Sequence, residues 1–459
     1  MFVKGGEELG EKNLDMTKGP IASSLVRFAI PIFLGQLFQQ LYTTADSIIV
    51  GKFADKNALA AVASSGHLIF MVTGFFIGLF VGAGVVISRY FGAKDNEKMN
   101  SAIHNTVLFS ILCGVIMTIF GIFCTPTILV WMDTPESVLP LSITYFRLYF
   151  TGSIAMVVYD AGMGVLRAIG DSKSPLRYLI VSSVVNVLLD LLFVAVFHWG
   201  VAGAAIATAI SQTVSAVLCL IKMMRLPEPY RVHLGKLRFD LPLIKQIAVN
   251  GIPSGVQNAI ISIANVVVQS NINAFDADAV AGCGAYSKVE GFVFLPITSF
   301  AMALTTFISQ NLGSKQYDRA RQGSKIGMAW SMALAEGIGV LFYYICPAAI
   351  GLFNDDPAVI ANGVLQMRTE CFFFFALALS HSVAAIMRGA GKAKMPMYTM
   401  LACWCLIRVS YITVAVRFFP VIQTVFWAYP LTWSLSSVVF LIYYFKADWL
   451  HAFDHEADS

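Results

Sequence analysis

Residues 166–175 read Leu166–Arg167–Ala168–Ile169–Gly170–Asp171–Ser172–Lys173–Ser174–Pro175, and residues 387–396 read Met387–Arg388–Gly389–Ala390–Gly391–Lys392–Ala393–Lys394–Met395–Pro396. The two stretches align at an offset of 221 residues. The same offset sets Ile87–Ser88 and Gly92–Ala93–Lys94 against Ile308–Ser309 and Gly313–Ser314–Lys315, and Arg147 against Arg368. Ile30–Pro31 faces Ile252–Pro253 one residue out of step. Agreement at separated places and nearly one offset marks an internal duplication.

Composition says what surrounds the repeat. Of 459 residues, 57% are hydrophobic and 13% charged, against roughly 25% charged in an average soluble domain. Water cannot cover so much apolar surface, but lipid can. Twelve apolar runs are expected to span a membrane, near 22–50, 58–86, 102–124, 138–162, 176–197, 202–224, 244–272, 281–308, 323–346, 362–386, 396–419 and 423–445, each near the roughly 20 residues a spanning helix needs. The fold class follows: an all-α polytopic membrane protein, with twelve transmembrane helices in two six-helix lobes related by a parallel internal repeat. Residues 1–21 form an N-terminal segment, 22–224 the first lobe, 225–243 a linker, 244–446 the second lobe and 447–459 a tail. Six spans per half bring both halves in from the same side. The symmetry axis then runs along the membrane normal, and the substrate cavity lies between the halves.

The basic residues orient the chain. If the N-terminus is cytoplasmic, 24 Lys and Arg fall in cytoplasmic segments and only Lys52, Lys56 and Arg417 in the external connections. That asymmetry is the positive-inside pattern, with both termini in the cytoplasm. The linker, with Arg225, Pro227, Pro229 and Arg231, reads as a solvated segment beside anionic headgroups. The 8 Cys form no CxxC pair and read as small buried hydrophobes.

Charges inside spans are costly and point to function. Asp46 lies in span 1 and Asp190 in span 5, with Asn186 one helical turn before Asp190 on the same face. At about 1.5 Å per residue, Asp46 is roughly 8 Å and Asp190 roughly 10 Å from the outer end. Tyr145 and Thr208 come out at roughly 10–12 Å. Four helices thus bring polar groups to one depth. Interhelical hydrogen bonding alone accounts for Tyr145 or Thr208 about as well as a ligand site does; two unpaired acids are harder to explain that way. Arg147 is the one basic residue near that depth. Protonation of such an acid at neutral pH is what proton coupling requires, and a carbonyl and hydroxyl cage around a carboxylate also suits Na⁺.

These residues carry a resemblance. Leu41–Tyr42–Thr43–Thr44–Ala45–Asp46–Ser47–Ile48–Ile49–Val50–Gly51, the Asn186-x-x-x-Asp190 pair and Leu166–Asp171 together resemble the multidrug and toxic compound extrusion (MATE) family over nearly the whole chain, in its MepA-like and DinF-like bacterial branch. The resemblance implies export driven by H⁺ or Na⁺ entry and a cation site of Asp46, Asn186, Asp190, Tyr145 and Thr208. It also implies small organic cations as substrates, a multi-pass position in the bacterial inner membrane, no cofactor beyond the coupling ion, no nucleic acid and no obligatory protein partner. Some relatives carry an acid in span 7; here that span has Gln257, Asn258, Asn265 and Gln269 but no Asp or Glu.

The second half has its own intramembrane charges, Lys288, Glu290, Glu336, Arg368, Glu370 and Arg408. Three acids and three bases are expected to neutralise one another, unless Glu290 or Glu370 faces the cavity. Gln36, Gln40, Met71, Phe75, Gln257, Asn258, Glu290 and Phe292 are candidates to line that cavity; plain packing explains the Phe and Met equally well. A flippase for a lipid-linked precursor is the nearest rival and calls for a more cationic cavity. A membrane-embedded enzyme or sensor is a more distant one, since no H-E-x-x-H, Walker A or G-x-S-x-G occurs.

Overall fold

Long apolar runs become helices here because a bilayer offers no water to unpaired backbone groups. The computed structural model describes residues 14–53, 56–131 and 134–457. Lys4, Lys12 and residues 458–459 lie outside them, as does the side chain of Lys56. Among the described residues, eleven helices are long and apolar enough to cross a membrane, and a bent pair makes a twelfth span. In chain order the spans are Ile21–Phe53, Ile69–Ala93, Asn96–Trp131, the pair Leu139–Thr151 with Ser153–Ala168, Lys173–Val196, Gly200–Arg225, Leu241–Ile272, Ala277–Gly313, Tyr317–Gly351, Pro357–Gly389, Lys394–Phe418 and Ile422–Lys446; they are called spans 1 to 12 below. Large apolar side chains face outward, Phe123 and Phe445 each 74% exposed, a surface that lipid accepts.

The duplication extends to the backbone. Lys94 (φ 56°) and Lys315 (φ 58°) adopt left-handed conformations at equivalent positions, as do Gly170 (φ 90°) and Gly391 (φ 76°). Asp171 N donates to Leu166 O at 2.8 Å, and Lys392 N donates to Met387 O at 2.8 Å. The repeated sequence therefore closes two matching left-handed helix caps.

Span 4 bends by 49° at Gly152. Three further spans depart from regular α-helix. Span 5 runs into a π-turn over Leu191–Val196, span 10 has a tight turn at Cys371–Phe373, and span 11 a π-segment at Leu401–Ile407. A buried charged residue stands at each of these three breaks: Asp190, Glu370 and Arg408. Such interruptions are frequent at functional sites.

The halves meet along a seam of small residues. Gly74, Gly78 and Gly82 of span 2 face Gly251, Gly255 and Asn258 of span 7, and a Cβ on Gly78 would stand 2.5 Å from Gly255 N. Small residues at four-residue spacing let two helix backbones approach closely. On the other side, spans 1 and 8 meet through side chains, with Gln36 Oε1 accepting from Thr298 Oγ1 (3.1 Å) and Ser299 Oγ (2.7 Å).

The end of the bundle that carries most of the basic residues is closed. Ser309 Oγ donates to Val85 O, and Gln310 Nε2 to Ala168 O. Residues 14–19 lie across both halves: Leu14 N donates to Gly170 O, Met16 is fully buried against Gln310, and Arg319 donates to Met16, Lys18 and Gly19 carbonyls. Leu25, Phe28 and Ile32 of span 1 pack into the core of the second half, while Ile49 and Val50 pack with Val138, Tyr145 and Val194 of the first. The linker is docked rather than simply solvated. Asn100 donates to the Pro229 and Arg231 carbonyls, and the backbone N–H of His233 to His104 Nε2. His233 also bonds Glu228 at 2.6 Å, which draws the Glu228 carboxyl below its ordinary range.

The seam makes a graded prediction. Gly78→Ala forces two backbones apart and is expected to cost about 1–3 kcal/mol, whereas a methyl on Gly74 meets Asn258 Cβ at an ordinary 3.5 Å. Thermal melts in detergent should rank Gly78→Ala well below Gly74→Ala. Equal melts would mean the seam does not hold the halves at this distance.

Candidate functional site: an acid pair in the first half

Span 1 and span 5 bring Asp46 and Asp190 together. Their carboxyl groups stand within hydrogen-bonding reach of each other. Asp190 is fully buried, and neither of its oxygens has a hydrogen-bond donor; Asp46 Oδ1 is equally shielded. Asn186 is 1% exposed, and both atoms of its amide lack partners. Two carboxyls in contact must share a proton or embrace a cation, because two bare charges in a low-dielectric interior repel strongly. The unpartnered oxygens of Asp46, Asn186 and Asp190 are the donor set either ion needs.

Tyr145 is buried, stacks on Tyr149 at 6.2 Å, and lies within electrostatic reach of both acids. Thr208 stands apart in its bonding. Its hydroxyl donates to Ala204 O at 3.0 Å, and it lines a small cavity at the span 4 bend with Tyr149, Gly152, Ser153 and Gln212. Arg147 is exposed and donates to Ile122 O, so it gives the pair no counter-charge.

Sequence reasoning passed over two residues here. Tyr42 sits one turn before Asp46 and within electrostatic reach of Asp46, Asp160 and Asp190. Asp160, 8% exposed in span 4, lies near Arg167. Asp160 falls inside the run 138–162 and was detectable as an intramembrane acid. Tyr42 was detectable as the same-face neighbour of Asp46.

The second half holds a different cluster. Glu370 is fully buried and accepts from Tyr286 Oη at 2.7 Å and Gln366 Nε2 at 2.9 Å; Glu290 approaches the same tyrosine hydroxyl. Arg408 acts on both acids at a distance, while its guanidinium donates to Thr432 Oγ1 at 3.2 and 2.9 Å over the Tyr429 ring. The expected neutralisation of three acids by three bases does not occur. Lys288 and Arg368 face the exposed surface, Arg368 over the Tyr343 ring at 5.1 Å, and Glu336 accepts from the Phe375 backbone. Two acids therefore meet one base.

The candidate cavity residues divide. Gln36 bonds span 8, and Asn258 Nδ2 donates to Gly74 O at 2.9 Å, so both join the halves. Gln257 is 3% exposed, donates to Met400 Sδ and accepts from Arg388. Phe75 packs on Gly255, and Gln40 approaches Gly291 across the halves. Met71 and Phe292 are half-buried, and Glu290 turns toward Tyr286.

The comparisons agree with this architecture. The MatE family model matches residues 31–192 and 253–414, one copy in each half. A Bacillus subtilis protein named Probable multidrug resistance protein YoeA is 28% identical over 398 residues, 84% of this chain and 86% of its own. Multidrug export protein MepA of Staphylococcus saprophyticus is 21% identical over 353 residues, 76% of this chain and 78% of its own. The solved structure of a MATE protein in the bent conformation superposes with a TM-score of 0.89 at 22% identity, covering 98% of this chain and 99% of that one. A family model on both halves and a matching bundle leave one assignment: the chain belongs to the MatE family and is a multi-pass membrane transporter, not an enzyme.

Proposed function

We propose that this transporter is a secondary exporter in which H⁺ or Na⁺, entering through the Asp46–Asp190 site, drives small organic compounds outward, organic cations among them. The observation that carries the reading is the contact of the buried Asp190 carboxyl with the half-buried Asp46 carboxyl beside an unpartnered Asn186 amide, with no cation among the described residues to neutralise them. The π-turn that begins at Leu191 adds support, since broken helices supply ion ligands in transporters of this design. The printed names of YoeA and MepA support multidrug export.

The cycle follows from the charge. With one monovalent ion on the pair, the two carboxylates keep a single negative charge; with the pair empty they carry two, and the stronger repulsion favours a different packing. The two halves then rock about their seam, and substrate between them is exposed to one side and then the other. Both termini and the basic end face the cytoplasm of a bacterium in this reading.

In everted vesicles loaded with a fluorescent organic cation, Asp46→Asn and Asp190→Asn are each expected to lower gradient-driven transport at least about tenfold while reaching the membrane normally. Imposing H⁺ and Na⁺ gradients separately identifies the ion. Undiminished transport in both variants would make the acids structural.

Orientation has its own test. In a cysteine-free background, Lys52→Cys should react with a membrane-impermeant maleimide in intact cells, and Gly235→Cys only after permeabilisation. The reverse pattern would invert the transport direction.

A further inference from the structure

Arg167 and Arg388 are repeat mates, each at the basic end of its span. Seven residues before each, at the same offset of 221, the halves differ: Asp160 precedes Arg167 and His381 precedes Arg388. Two helical turns place those residues on the arginine's own face. In the first half Asp160 stands within electrostatic reach of Arg167, although Asp160 Oδ2 and Arg167 Nε each lack a hydrogen-bond partner. In the second half an imidazole stands in the acid's place and supplies no negative charge.

Arg388 is left as a cation without a carboxylate partner among the described residues. Its Nη1 reaches Gln257 Oε1 at 3.4 Å, and its Nε is shielded and lacks an acceptor. His381 Nε2 is also shielded and without a partner. Gln257 also donates to Met400 Sδ of span 11, so the guanidinium head lies among spans 7, 10 and 11. It is also at the boundary between the halves: the next residue, Asn258, bonds Gly74 of span 2. On the other side of that boundary, Arg167 Nη1 contacts Met302 Sδ of span 8 at 3.5 Å. The rings of Phe294 and Trp404 flank His381 at 5.9 and 5.6 Å.

A buried charge without a partner is destabilising in a low-dielectric interior, and an arginine presents a planar fork matched to carboxylate and phosphate. We propose that Arg388, with Gln257 and His381, forms an anion-binding site between the halves, and that the exported compounds include aromatic amphiphiles bearing a carboxylate or phosphate group. The flanking rings receive the apolar body while the guanidinium takes the anionic group. This deepens the transport reading above and rests on it.

The test uses the full chain in everted vesicles with two dyes, a rhodamine with a free carboxylate and its methyl ester. Loss of one charge-assisted contact is expected to lower the ratio of free-acid to ester transport about ten- to a hundredfold in Arg388→Gln. Arg388→Lys should recover part of the ratio, because it keeps the charge without the fork. Asp46→Asn should abolish transport of both dyes, which separates failure of ion coupling from failure of this site. A parallel melt of the purified protein should show stabilisation by the free acid in the intact chain and not in Arg388→Gln; this arm decides the matter if neither dye moves. Repeating the melt with and without phosphatidylglycerol assigns the anion, since suppression of the free-acid effect by the lipid would support the site with a headgroup as its occupant. An unchanged dye ratio in Arg388→Gln, or equal stabilisation of both proteins, would overturn the proposal.

Discussion

The carboxyl groups of Asp46 and Asp190 meet where the protein offers them no cation. Arg147, close to them in depth, turns outward to the Ile122 carbonyl, and Arg167 lies instead within electrostatic reach of Asp160. In a low-dielectric interior, two bare carboxylates in contact repel strongly enough to decide the packing around them. The first half therefore has two electrostatic conditions, with and without a bound ion. The rest of the structure can be understood as the means of turning that difference into movement.

Movement requires interfaces that are close but not locked. Spans 2 and 7 touch backbone to backbone through glycines, with the Asn258–Gly74 hydrogen bond beside them. Spans 1 and 8 touch through Gln36, Thr298 and Ser299, groups that can exchange partners with one another or with water. Span 1 also belongs to both cores, its basic end among second-half residues and its other end among first-half residues. A change at Asp46 thus acts on a helix already engaged with the opposite half. The breaks at Leu191, Cys371 and Leu401 put irregular backbone beside the buried charges, where a helix can shift without losing a full turn of hydrogen bonds.

The duplication copied the scaffold and left the chemistry unequal. The caps at Gly170 and Gly391 share their left-handed backbone and their hydrogen bonds. The intramembrane acids do not repeat: Asp46 faces a valine in the second half whether the offset is 221 or 222, Glu290 faces Ile69 and Glu370 faces Tyr149. The substitution of His381 for Asp160 belongs to the same pattern. In the proposed cycle, two halves of the same shape and different charge rock against each other while one binds the driving ion and the other meets substrate.

Apolar length, the repeat and the asymmetry of basic residues are properties of the chain in one dimension, and so the spans, the two halves and the position of Asp46, Asn186 and Asp190 inside spans 1 and 5 were legible before any coordinates. Depth along a helix was legible too, because rise per residue is constant. Which helices become neighbours, and which way a face turns, is set by packing of the whole bundle. That is why Asp46 and Asp190 could be placed at one level but not in contact, and why Lys288 and Arg368 appeared able to neutralise acids that they do not approach. It is also why Asn258 and Gln36 looked like free cavity groups when close helix contacts had already engaged them. Hydrophobicity and spacing along the chain settled what enters the membrane; the angular arrangement of the helices, a property of the assembled bundle, settled which polar groups meet there.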